Sequence, residues 1–181
     1  MIFEKQDLDG IYIITPGLFN DERGYFFESF RQSEFFNKLN KNFVQDNEVF
    51  SKESNIIRGL HYQIDRPQGK LIHVVSGAIK DIAVDIRVGS PNFGKFLIVK
   101  LTAENHKMLY IPEGFAHGYL VLEQNTIVHY KCTNYYDFDS ERGIRWNDPD
   151  INIDWGISHP VLSKKDKMLP LLKKQTKLPR F

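Results

Sequence analysis

The residues best suited to chemistry cluster in Arg58-Gly59-Leu60-His61-Tyr62-Gln63, which follows the β-branched pair Ile56-Ile57 and precedes the turn-forming Asp65-Arg66-Pro67-Gln68-Gly69. Alternate side chains of a strand face opposite ways, so His61 and Gln63 share one face while Leu60 and Tyr62 share the other. One face then carries chemistry and its opposite packs. An imidazole titrates near neutral pH, which suits His61 to act as a general base. Tyr130 can serve as the acid, and Lys70 can hold a developing oxyanion. Base, acid and electrostatic stabiliser are all that proton abstraction next to a carbonyl requires, and no cofactor is implied. The plainer alternatives are a hydrogen-bonded histidine inside a strand for His61 and a packing tyrosine for Tyr130, in a chain that is 13% aromatic.

The elements that must position these groups read as short strands. Residues 11–14 and 25–30 form two early ones, separated by the turn Asp21-Glu22-Arg23-Gly24. A helix follows, with Ser33 capping it and Phe35, Phe36 and Leu39 on one face. Eight further strands are expected over 43–50, 55–63, 70–76, 79–87, 95–101, 106–111, 117–122 and 126–133. Polar turns without intervening helices link them, which indicates an all-β antiparallel sandwich or jelly-roll barrel with a few short peripheral helices. In 82–87, Ile82, Val84 and Ile86 alternate with Ala83, Asp85 and Arg87. After Tyr136 ordered loops are expected rather than another sheet, then a helix from Ser163 to about Lys174. The basic tail after Leu172 is expected to fray.

The 181 residues, 41% hydrophobic, can bury one sizeable core, so residues 1–181 read as a single domain. A formal net charge of +1 gives no overall basic field, which argues against nucleic acid as a partner. Cys132 is the only cysteine, which excludes an intramolecular disulfide and suits a reducing cytoplasm. The charged start MIFEKQDLDG is unlike a signal peptide, and no apolar run approaches the roughly 20 residues of a membrane span. A cytoplasmic protein without a membrane partner is expected.

If the strands close into a barrel, Gln45, Asn47, Arg58, His61, Gln63, Lys70, Asp85, His117 and Tyr130 converge on its lumen. Buried cations are costly unless paired, so a cavity open to an anionic small ligand accounts for them. Metal binding is the competing chemistry, because Pro112-Glu113-Gly114-Phe115-Ala116-His117 resembles the second motif of metal-binding cupins. The first motif departs from that pattern: His61-Tyr62-Gln63 has an amide where a second imidazole would stand, and an amide is a poor transition-metal ligand. No metal is expected.

Motifs along nearly the whole chain resemble the dTDP-4-dehydrorhamnose 3,5-epimerase family, cupin-fold jelly-roll homodimers of deoxysugar biosynthesis. They are DERGYFFESF (21–30), FVQDN (43–47), RGLHYQ (58–63), QGKL (68–71), VDIR (84–87), SPNFGK (90–95), IPEGFAHGYLVL (111–122), YKCTNYY (130–136), ERGIRWNDPDINIDW (141–155) and LSKKD (162–166). The resemblance implies that His61 removes protons from C3 and C5 of a dTDP-linked 4-keto-6-deoxy sugar and that Tyr130 returns them from the opposite face. It implies that Asp166 pairs with His61, whereas the local pattern Ser163-Lys164-Lys165-Asp166 reads as a helix cap. Asp85 is the rival partner. The nucleotide positions it implies are Arg23, Glu28, Gln45, Asp46, Asn47, Arg58, Lys70, His117, Glu141 and Lys165, with Tyr136 stacking on thymine. Guanidinium forks suit a diphosphate and an aromatic platform suits a base. In the plainer reading Arg23 belongs to a solvated turn. A single-position epimerase and a catalytically silent sugar-nucleotide binder remain open.

Overall fold

The computed structural model describes residues 1–181. Thirteen strands run β1 (Ile2–Lys5), β2 (Tyr12–Thr15), β3 (Phe19–Asp21), β4 (Gly24–Phe26), β5 (Gln45–Ser51), β6 (Ile57–Gln63), β7 (Lys70–Ser76), β8 (Ala78–Asp85), β9 (Phe96–Thr102), β10 (Met108–Ile111), β11 (Phe115–Val121), β12 (Thr126–Cys132) and β13 (Glu141–Gly143). They form an antiparallel six-stranded sheet ordered β1-β2-β10-β7-β12-β5, a five-stranded sheet ordered β13-β6-β11-β8-β9, and the separate hairpin β3-β4. The expected jelly-roll architecture is present.

Three apolar layers explain why the central strands lack a polar face. Ile72 and Val74 of β7, Leu109 of β10 and Val128 of β12 meet Ile79, Leu101 and Val121 of the opposing sheet between the two. Outside the five-stranded sheet, Ile57, Leu60, Tyr62, Ile82, Val84 and Ile86 lie under Ile144, Ile151, Trp155 and Leu172 from the C-terminal third. Outside the six-stranded sheet, Leu71, Met108 and Tyr110 are covered by Phe35 and partly buried Phe27, Phe30 and Phe43. Strands packed on both faces read as apolar runs, and β11 is buried throughout.

Several boundaries differ from expectation for local reasons. The strand expected over 25–30 ends at Phe26, because Phe27 and Phe30 turn onto the six-stranded sheet instead of continuing a ladder. Helix α1 (Gln32–Leu39) starts before Ser33, with Arg31 at its N-cap and no side-chain cap. The Gln32 amide instead ties this end to Lys41 O, Asn42 and Phe43 N. Phe35 is fully buried while Phe36 stays 43% exposed, so a narrow stripe docks the helix. Beyond Tyr136, β13 adds to the edge of β6, a strand where only loops were expected. The C-terminal helix is interrupted near Pro170 into α2 (Lys164–Lys167) and a 3₁₀ turn at Leu172–Lys174. The tail after it is tied down: Tyr62 Oη donates to Gln175 Oε1 at 2.7 Å, and Phe181 N donates to Val88 O at 3.2 Å.

Asp85 closes the end of the barrel beside this tail. Fully buried, it accepts from Arg87 Nε and Nη2 at 2.9 and 2.7 Å and from Ser90 Oγ at 2.7 Å, while the Arg87 guanidinium stacks on Phe115 and Phe181. Burial alone would raise its carboxyl; the hydrogen bonds from Arg87 and Ser90 outweigh that and hold it below its ordinary value. A carboxylate whose pKa is depressed by folding stabilises the fold above its unfolded value and loses that contribution as pH falls through its folded value. Replacing Asp85 with Asn is therefore expected to cost about 3 kcal/mol at pH 7 and less in acid. Urea titrations of both proteins at pH 7 and pH 3 check this; an equal difference at the two values would contradict the assignment.

Candidate active site

The open part of the barrel lies between β6 and β11 on one sheet and β5, β7 and β12 on the other. Cavities of about 260 and 210 Å³ meet there, with His61, Lys70 and Tyr130 lining both. Gln45, Asn47 and Val49 point inward from β5, while Asp46, Glu48 and Phe50 alternate outward. His61 comes from β6 and Tyr130 from β12, so the imidazole and the phenol reach this space from opposite sheets.

His61 Nε2 is 2.7 Å from Asp166 Oδ1. With Nε2 engaged, Nδ1 is the ring nitrogen left to take a proton. Asp166 is 4% exposed and sits in the first turn of α2, where its own N–H is capped by Ser163 Oγ at 3.0 Å. The helix-cap and dyad readings thus describe one residue doing both. Burial pushes the Asp166 carboxyl up, but His61, Ser163 and the charge of Lys165 bring it below its ordinary value. Asp85 is not the partner: strand parity aims it inward, but at the end of β8 where Arg87 and Ser90 occupy it.

Arg58 lines the cavity as expected, although strict alternation from His61 would turn it away. His61 pairs with His117 and Arg58 with Tyr119, so three steps on β6 oppose two on β11. A β-bulge of this kind resets the alternation, and Arg58 lines the same cavity as His61 instead of joining Leu60 and Tyr62. The shift needs Gly59: its φ is +108°, and a Cβ there would lie 2.6 Å from Gly118 Cα. Arg58 Nη2 reaches Ser51 Oγ at 3.3 Å, while its Nε is buried without a partner. Burial lowers the Lys70 ammonium below its ordinary value. Burial likewise raises the Tyr130 phenol, which keeps it protonated at neutral pH.

His117, 7% exposed, is held by a residue not picked out from the sequence: its Nε2 lies 3.0 and 3.1 Å from the two carboxylate oxygens of Asp81. Asp81 has the same parity as Ala83 and Asp85, and that alternation was the available signal. Each imidazole that a metal cupin would turn to a shared ion is thus engaged by its own carboxylate. The chain assembles no group of three His, Cys, Asp or Glu side chains able to hold a metal.

At the cavity mouth, Tyr136 Oη donates to Glu141 Oε2 at 2.7 Å, and Lys165 Nζ reaches the same oxygen. The hydrogen bond to Glu141 pushes the Tyr136 phenol up to about 12. Three expected nucleotide positions lie elsewhere. Arg23, 84% exposed in its side chain, pairs with Asp21 in its own turn at the tip of β3-β4, and Glu28 pairs with Arg31 beside α1. Asp46 lies on the outer face of β5, bonded to Lys131 at 2.7 Å, against a larger cavity of about 350 Å³ that also holds Glu48 and His129. Even parity on β5 sends it there.

Residues 5–174 match the family model described as dTDP-4-dehydrorhamnose 3,5-epimerase. A dTDP-4-dehydrorhamnose 3,5-epimerase of Methanothermobacter thermautotrophicus is 47% identical over 169 residues, 91% of each chain. The crystal structure of a dTDP-6-deoxy-D-glucose-3,5-epimerase from Legionella pneumophila in complex with dTDP-4-keto-L-rhamnose superposes with a TM-score of 0.94 at 42% identity, covering 99% of this chain and 98% of that one. A 3'-monoepimerase from Streptomyces bikiniensis in complex with dTDP-quinovose gives 0.90 at 31% identity, covering 97% and 91%. By sequence and by fold, the chain belongs to the dTDP-4-dehydrorhamnose 3,5-epimerase family.

Proposed function

We propose that the joined cavities take a dTDP-linked 4-keto-6-deoxy sugar and invert it at C3 and C5, giving dTDP-4-dehydro-L-rhamnose. The observation that carries this reading is the His61–Asp166 pair on one wall of a cavity whose other wall presents Tyr130, with Lys70 lining the same space. Both carbons flank the C4 carbonyl, so one base and one acid can serve each in turn. His61 Nδ1 takes the proton from carbon and the electron pair moves into the carbonyl, placing negative charge on O4. Lys70 stabilises that charge. Tyr130 then protonates the carbon from the opposite face, and exchange with water resets both groups. Asp166, kept ionised, orients the ring and stabilises the imidazolium.

Arg58 and Lys165 supply cationic donors for the diphosphate, Tyr136 a platform for the base, and Gln45, Asn47, His117 and Glu141 the surrounding polar wall. Arg23 and Glu28 belong to this site through a second copy of the chain. The hairpin that carries Arg23 ends two residues ahead of Glu28 and leaves Phe19 and Phe26 69% and 68% exposed, which fits the homodimer implied by the family. Light scattering tests the dimer. No helix is long and apolar enough to cross a membrane, and a cytoplasmic enzyme is part of the same proposal.

Incubation with dTDP-4-keto-6-deoxyglucose in deuterated water tests the reaction. Two deuterons, at C3 and C5, are expected by NMR without added metal. One would assign the single-position reaction named for the Streptomyces relative, and none would leave only binding.

A further inference from the structure

We infer that Gln63 is the positioning residue that presents Tyr136 to the nucleobase, an inference resting on the reading of Tyr136 as the base platform. Gln63 stands where a metal cupin carries its second imidazole, but the amide is spent on the main chain of the mouth. It is 6% exposed. Its Nε2 donates to Arg66 O at 2.6 Å and to Tyr135 O at 3.3 Å, and its Oε1 accepts from Asp137 N at 3.0 Å. One side chain therefore holds the backbone immediately before and after Tyr136 and joins it to the loop that follows β6.

The neighbours complete the grip. Tyr136 N donates to Gln45 Oε1 at 2.8 Å, and the far end of the ring is bonded to Glu141, the residue that pairs with Gln63 across β13 and β6. Ser140 Oγ accepts from the N–H groups of Ile64 and Asp65 at 3.0 and 2.7 Å, fastening the same two loops a second time. Tyr136 itself is 50% exposed, and apolar burial does little to hold so open a ring. A loop aromatic that must be ordered on binding loses affinity to that ordering, whereas one already held does not. Gln63 lies two residues beyond His61 on β6, so the strand that carries the base of the reaction also sets the place where the nucleotide is anchored.

The test is a double-mutant cycle on dTDP binding, measured by calorimetry with wild type, Gln63→Ala, Tyr136→Ala and the double variant, beside steady-state kinetics. Gln63→Ala is expected to weaken dTDP about tenfold and raise KM in step, with kcat within about twofold of wild type. The double variant should bind dTDP no more weakly than Tyr136→Ala alone, because the grip has nothing left to present. Gln63→Glu, which keeps the acceptor for Asp137 and lacks both donors, should weaken dTDP as well and serves where the alanine variant melts early. Unchanged dTDP affinity in the Gln63 variants, or losses that simply add in the double variant, would overturn the inference while leaving the platform in place. Unchanged affinity in Tyr136→Ala would overturn both.

Discussion

Replacing His61 with Asn is expected to lower kcat by three to four orders of magnitude while dTDP binds within a few-fold of wild type. The size follows from what is removed: a positioned general base contributes about 10² to 10⁴, and here the same ring must act at two carbons. Asparagine fills much of the space and can still meet Asp166, so the cavity survives while the proton acceptor is lost. Deuterium exchange at C3 and C5 should vanish together with turnover. A variant that exchanges either position at the wild-type rate would show that another group takes the proton.

Tyr130→Phe separates abstraction from delivery. Without the phenol the base still works, so exchange at the carbons is expected to persist while complete inversion falls by about a hundredfold or more. Affinity for dTDP should hold, because the ring remains in the β12 wall and only its oxygen is gone. NMR of the recovered sugar reads label and configuration separately. A large loss of affinity with inversion intact would instead make Tyr130 a binding residue.

What could be read from the sequence was whatever repeats or stays local. The eight strands between Phe43 and Thr133 are announced by polar turns, and inward parity placed Gln45, Asn47, Lys70 and Tyr130 on the cavity. Arg58 was read onto the cavity from its residue type; parity alone would have missed it, because the ladder slips where Gly59 packs against Gly118 of another strand. Parity also cannot say how far along a strand the cavity extends, which is why Asp85 was read as a rival partner for His61 while Asp81 was passed over. Asp166 lies 105 residues from its imidazole, and no local pattern connects them. Only the family resemblance joined the two. The same resemblance placed Arg23 and Glu28 on the ligand, where a single copy of the chain leaves them paired with Asp21 and Arg31 and outside the cavity.

The lateness of Asp166 has a consequence for biosynthesis. Every strand of both sheets, with His61, Lys70, Tyr130 and Tyr136, precedes it in the chain. A ribosome therefore synthesises every strand before the carboxylate that, in the proposed mechanism, orients the imidazole. A chain ending before Ser163 would hold every strand and lack that carboxylate, so on the proposed mechanism it is expected to be inert toward ketosugars.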